Sequence, residues 1–195
     1  MGDKLKKILT LKLLFAILGL VIAGEVVWAV WKLNQPIPAP AISTSNQSTG
    51  ASLTLSTKST VKVSEEFIVG ITLDTGGKMT DGTDVIITFD RDLLEVVPVS
   101  LGTRMAVVPG TLYKDYPINT FEGNQITFSG LSGIDTGFRG KGVMGTVTFK
   151  ALKAGQANIN IEYRKGSTTD SNVTESLSAA DVLIKVFGVT VNINP

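Results

Sequence analysis

With neither histidine nor cysteine among its 195 residues, the chain must do any chemistry with carboxylates, hydroxyls, amides and fixed cations. Ser-His-Asp and Cys-His nucleophilic triads are excluded, as are thiolate and histidine metal sites and a disulfide framework. Paired carboxylates could still serve as general acid and base. No such pair stands out, so an enzyme is the last of the readings considered. Two oxygen-rich groups could attract a hard cation such as calcium, which takes six to eight oxygen ligands. One is Asp74, Asp81 and Asp84 around a Gly-rich turn, and the other is Thr169-Asp170-Ser171-Asn172. Neither has the spacing of a calcium loop, and Asp and Asn are ordinary turn residues. No cofactor is therefore called for. Tyr113 and Tyr116, with Phe121, could stack on sugar rings, or could pack a loop onto a core. Gln125, Thr127 and Ser129 alternate with Ile126 and Phe128, which points the three polar side chains outward from a strand.

The elements that would position these groups are unevenly distributed. Residues 8–33, ILTLKLLFAILGLVIAGEVVWAVWKL, are dominated by an apolar run, and between Leu13 and Trp31 its only charge is Glu25. About 20 such residues cross a hydrocarbon core of roughly 30 Å. Lys4, Lys6, Lys7 and Lys12 precede the run, and Trp28, Trp31 and Lys32 close it. By the positive-inside rule the N-terminus stays cytoplasmic and the remainder is exported. A cleaved signal peptide ending at Ala23 is the rival reading, but the apolar run continues past that point. Glu25 lies late in the span. It reads either as a carboxylate hydrated near the outer interface or as a pairing contact with another helix.

Residues 34–50, NQPIPAPAISTSNQSTG, carry no charge and no periodicity. Alternating prolines followed by Ser, Thr, Asn and Gln describe a spacer. From Ala51 the hydrophobic period is two. Ala51, Leu53 and Leu55 begin it; Phe67, Val69, Ile71 and Leu73 repeat it. Val143, Gly145, Val147 and Phe149 are expected inside, with Met144, Thr146 and Thr148 outside, and Ala157, Ile159, Ile161 and Tyr163 continue the pattern. One apolar and one polar face per strand is the signature of antiparallel sheets with one side wet. About nine strands are expected: 51–57, 67–74, 83–89, 93–98, 105–109, 125–130, 143–151, 157–163 and 182–193, the last broken at Gly188. Gly110 to Asn124 reads as a long loop, and residues 175–181 as a helical turn at most. Residues 51–195 hold thirteen Lys and Arg against fifteen Asp and Glu, a net of −2, which is no basic nucleic-acid surface. The expected architecture is all-β: an antiparallel two-sheet sandwich over 51–195, behind a transmembrane helix (1–33) and a linker (34–50).

Three motifs, in order, resemble the cohesin family. Phe67-Ile68-Val69-Gly70-Ile71 follows a turn. Thr83-Asp84-Val85-Ile86-Ile87-Thr88-Phe89-Asp90 leads into Leu93-Leu94-Glu95-Val96. Gly142-Val143-Met144-Gly145-Thr146-Val147-Thr148-Phe149-Lys150-Ala151 is followed by Gly155-Gln156-Ala157. Ser64-Glu65-Glu66 stands where the family has a glycine before the first motif. The resemblance covers nearly all of 51–195. It implies a nine-stranded jelly-roll related in fold to carbohydrate-binding modules, and a non-catalytic module that docks dockerins through one sheet face. It places Asp84 at a dockerin-facing position, and Gln125, Thr127 and Ser129 on another contact strand; each also reads as an ordinary wet strand residue. The expected partner is a dockerin-like protein in a polysaccharide-degrading or surface-assembly setting, at the bacterial cell surface. The alternatives are direct binding of a cell-surface polysaccharide, with Tyr113 and Tyr116 as stacking residues, or a surface-filament subunit built through the apolar helix and Glu25.

Overall fold

The computed structural model describes residues 50–133 and 136–195, together with residue 25. The chain divides into two units, Met1–Asn46 and Gln47–Pro195, and all thirteen strands lie in the second. The expected membrane span, apart from Glu25, and the expected linker, apart from Gly50, lie outside the described residues; Glu25 itself is helical and exposed.

In chain order the strands are β1 (Ala51–Ser56), β2 (Thr60–Lys62), β3 (Glu66–Asp74), β4 (Thr80–Phe89), β5 (Leu94–Val97), β6 (Val107–Pro109) and β7 (Asp115–Glu122). They continue as β8 (Gln125–Leu131), β9 (Lys141–Ala151), β10 (Gly155–Ile161), β11 (Asn172–Glu175), β12 (Leu183–Phe187) and β13 (Val189–Asn194). They form two sheets. The six-stranded sheet runs β12-β1-β3-β9-β5, with β6 sharing the β9 edge beside β5. The seven-stranded sheet runs β2-β13-β10-β4-β8-β7, with β11 also on β4. All pairs are antiparallel except β1 with β12 and β2 with β13.

Alternation builds this sandwich. β3 buries Phe67, Val69, Ile71 and Leu73, β4 buries Val85, Ile87 and Phe89, and their outward neighbours stay wet. The inward rows meet as one core in which Phe149 touches Phe67 (centroids 6.0 Å apart) and Phe89 (5.2 Å, edge-on). Such ring pairs contribute about 0.5–1.5 kcal/mol beyond their burial. Tyr163 sits at the rim instead, its hydroxyl donating to the Leu183 carbonyl at 2.7 Å. The chain changes sheets between β12 and β13, at Gly188. A Cβ there would lie 2.7 Å from the Ile159 carbonyl oxygen and from Asn160 Oδ1, so only glycine allows the crossing.

Three expectations need correction. Among the described residues thirteen strands replace nine, because β2, β7 and β11 were not expected and the last expected strand is two, β12 and β13, parted at Gly188. The expected loop 110–124 contains β7, hairpinned onto β8 through Gly123-Asn124, with Gly123 at φ 59°. A positive φ at the first central position is what a two-residue II′ turn requires. β7 hid from the alternation test because it is an edge strand with Pro117 inside a bulge, where Asp115 faces Leu131 but Ile118 faces Ser129. Residues 176–178 form a plain turn. Finally, a bulge between β3 and β9 reverses one stretch of β9: Ile71 faces Gly145, but Thr72 faces Val143. Met144 is therefore fully buried and Val143 is 50% exposed, the opposite of the period-two expectation.

Candidate binding face

The outward residues of β4 and its neighbours make one largely polar surface on the seven-stranded sheet, with Ile86 half-buried within it and Ile118 and Leu131 exposed on β7 and β8. Across it the register stacks rows. Thr88 lies between Gln125 of β8 and Asn160 of β10. Ile86 faces Thr127, which in turn faces Thr120 of β7. Asp84 lies between Ser129 of β8 and Asn172 of β11. Farther out, Thr190 Oγ1 donates to Asn158 Oδ1 at 2.8 Å, and Gln156 Nε2 donates to Asn192 Oδ1 at 3.3 Å. Thr88 Oγ1 donates to Glu162 Oε1 at 3.1 Å. The surface is rich in amides and hydroxyls.

Asp84 is its fixed point. One carboxylate oxygen accepts from the Ser129 hydroxyl, and the other accepts from Asn172 Nδ2 at 3.0 Å. A carboxylate has about four lone-pair sites, so two donors orient it and leave acceptor capacity facing outward. Sequence reasoning placed Asp84, Gln125, Thr127 and Ser129 on one outward face. The register does bring all four to adjacent rows of β4 and β8. Gln125 is exposed and Thr127 half-buried, but Ser129 is only 3% exposed. Its hydroxyl is therefore a support for Asp84 rather than a free contact. Asn172, the other support, was named only within an oxygen-rich run, because nothing local shows that β11 lies on β4.

The acidic side chains of the two oxygen-rich groups each serve local structure. Asp74 Oδ1 accepts from the Gly76 N–H at 3.0 Å and shapes the turn there. Asp81 accepts from the Ser176 hydroxyl, and Asp170 from the Arg164 N–H. Among the described residues no three acidic, histidine or cysteine side chains converge.

Tyr113 and Tyr116 lie beneath the end of this sheet, not on it. Tyr113 is 5% exposed, and its hydroxyl is hydrogen-bonded to Thr83 Oγ1 (2.7 Å) and Thr80 Oγ1 (3.0 Å). Burial pushes its phenol above the ordinary value, against the opposing pull of those two hydroxyls. Tyr116 stacks on Phe128, centroids 5.0 Å apart and planes within 8°, and burial raises it as well. Tyr113 thus offers no open ring for a sugar, and Tyr116 is already stacked. A further residue passed over by sequence reasoning is Asn119. Its amide donates to the Val107 carbonyl (2.7 Å) and accepts from the N–H groups of Ala106 (3.1 Å) and Val107 (2.9 Å). It ties β7 of one sheet to β6 of the other.

No protein-family model matches the sequence, nor does the sequence of any curated protein. Solved structures do match. A type II cohesin domain from the cellulosome of Acetivibrio cellulolyticus superposes with a TM-score of 0.57 at 15% identity, over 73% of this chain and 95% of that one. The fold is cohesin-like. A type III cohesin module from a cell-surface anchoring scaffoldin of Ruminococcus flavefaciens gives 0.57 at 13% identity, over 82% of this chain and 99% of its own. A type I cohesin–dockerin complex from Clostridium thermocellum gives 0.54 at 13% identity, over 73% and 94%. At these identities the likeness is one of fold. On the outward face of the seven-stranded sheet of this cohesin-like sandwich, Asp84 is a carboxylate held by side-chain donors from two neighbouring strands.

Proposed function

We propose that the chain is a non-catalytic binding module, displayed outside the membrane, that docks a dockerin-type protein on the outward face of its seven-stranded sheet. The observation that carries this reading is Asp84, oriented by Ser129 and Asn172 in a flat row of polar side chains on a cohesin-like sandwich. A flat sheet face suits a protein surface, whereas small ligands favour concave pockets. The cohesin in the neighbouring type I complex is itself bound to a dockerin. In this proposal Leu13–Trp31 is an uncleaved membrane anchor, and residues 34–50 hold the sandwich clear of the headgroups. The wholly extended linker would reach about 50 Å at roughly 3.1 Å per residue.

Direct carbohydrate binding is less well supported, because the two tyrosines that would stack on sugars are packed into the molecule. The filament reading rests on the apolar N-terminal run and Glu25.

The test uses the full chain in detergent as bait for the exported proteins of its own host, with and without calcium. Capture of a protein carrying paired calcium-loop motifs, lost at least tenfold with Asp84→Arg, is the expected result. Capture of no protein under either condition, or capture indifferent to Asp84→Arg, would refute the assignment. Retention on insoluble polysaccharide without a protein partner would establish the alternative. Resistance of the chain to carbonate extraction from membranes tests the anchor.

A further inference from the structure

The outward face of the six-stranded sheet is unlike the docking face, and it does not depend on that reading. Four of the large exposed apolar side chains gather on it: Ile68 (61% exposed), Val108 and Val143 (50% each) and Phe187 (49%). The register sets them among threonines. Phe187 faces Thr54, which faces Thr72, which faces Val143; Ile68 faces Thr148, which faces Val97; Val108 faces Thr146. The bulge that turns Val143 outward completes the patch. Its centre carries no charge. At one end of the β3–β9 ladder Glu66 faces Lys150, and at the other Asp74 faces Lys141. An apolar centre with a charged rim is the anatomy of a protein interface.

We infer that this face pairs with the same face of a second copy of the chain, about a two-fold axis parallel to the strands between β3 and β9. That axis exchanges β3 with β9. It lays Glu66 over Lys150 of the second copy and Asp74 over Lys141 of the second copy, each twice by symmetry. It also lays Ile68 over Thr148 and Thr72 over Val143. A two-fold axis perpendicular to the strands in the interface plane would instead set Glu66 against Asp74 and Lys150 against Lys141. Like charges opposed in this way are repulsive, so the charge pattern selects the first arrangement. Sheets that stack face to face keep their strands nearly aligned about 10 Å apart, a gap that opposed Glu and Lys side chains can close. Five strand positions at about 4.8 Å, crossed by the nine residues of β3 at about 3.4 Å each, outline roughly 700 Å². That is just under the about 800 Å² per partner of a standard stable interface. The pairing is therefore reversible and depends on concentration. It leaves the docking face open, so one assembly would present two docking faces pointing in opposite directions.

The chain has no cysteine, so site-specific thiol crosslinking reads the geometry cleanly. Full-length chains carrying Ile68→Cys and Thr148→Cys are mixed in detergent with a short bis-maleimide, because sheets stacked about 10 Å apart are too far for a direct disulfide. The expected product is a mixed 68–148 dimer, formed at least fivefold faster than dimers between Ile68→Cys and the opposite-face control Asn158→Cys. Adding Val143→Glu to both chains should reduce that rate at least fivefold while thermal unfolding is unchanged. Equal rates for Thr148→Cys and the control would overturn the inference. So would a dominant 68–68 product, which would place the axis elsewhere, or crosslinking only to a different protein.

Discussion

The two outward faces of this sandwich are built from the same alternating strands and finished by opposite means. On the seven-stranded sheet, polar side chains hold one another: Asp84 is bonded to Ser129 and Asn172, and Asn158 to Thr190. On the six-stranded sheet, Ile68, Val143 and Val108 stand exposed with nothing to hold them. A face ordered by its own hydrogen bonds is prepared for a partner of fixed shape, because little side-chain freedom remains to be lost on binding. A face of exposed apolar groups gains by being covered, and its β-branched Ile, Val and Thr side chains, stiff at χ1, lose little freedom in doing so. The two faces should therefore respond differently: changes on the polar face cost stability as well as docking, whereas changes on the apolar face alter self-association alone.

That separation can be attacked from its strongest point downward. Phe128 lies beneath the polar face, fully buried and stacked under Tyr116. Phe128→Ala should cost about 3–5 kcal/mol, read by urea unfolding. Asp84→Ala should cost about 1–3 kcal/mol in the same assay, because it strips the partner from the buried Ser129 hydroxyl and from the Asn172 amide. Loss below about 0.5 kcal/mol would mean the row is not self-supporting. Tyr113→Phe probes the floor under the sheet by pH. The folded phenol is raised above its ordinary value of 10.0, chiefly by burial. Its contribution is thus fully present below about pH 10 and is lost as pH climbs through the raised folded value. The wild type should lose stability there, and Tyr113→Phe should remove that portion of the alkaline loss while costing about 1 kcal/mol at neutral pH from two missing hydroxyl contacts. Smallest of all, Ile68→Ser should move unfolding by less than about 0.5 kcal/mol. A large effect there would show that the apolar face is part of the fold's own support.

How much of this could be read from the residues alone follows from the range of the forces involved. Alternation is local, so the strands that carry Leu53, Val69, Ile87 and Ile159 were legible, as was the all-β class. Asp84 and Gln125 were legible as outward for the same reason. The burial of Ser129 was not, since Ser129 lies between Asp84 of β4 and Ile118 of the hidden strand β7, and neither was the hold of Asn172, which reaches Asp84 from 88 residues along the chain. β7 was masked by Pro117 and by having a partner on one side only. The apolar patch was hidden by one bulge. A single slipped residue sent Val143 out and Met144 in, and no pattern of period two contains that event.

The parallel pairing of β1 with β12 has a mechanical meaning. β1 is the first strand after the proposed linker, and it is clasped on both sides, by β12 running alongside it and by β3 running against it. A pull applied through residue 50 along the strand axis would load β1 parallel to both its neighbours. The ladder bonds lie across that axis. They are sheared together rather than peeled one after another, so the load is shared by both ladders at once. If the sandwich is tethered at this end, as proposed, β1 fastens it like a lap joint.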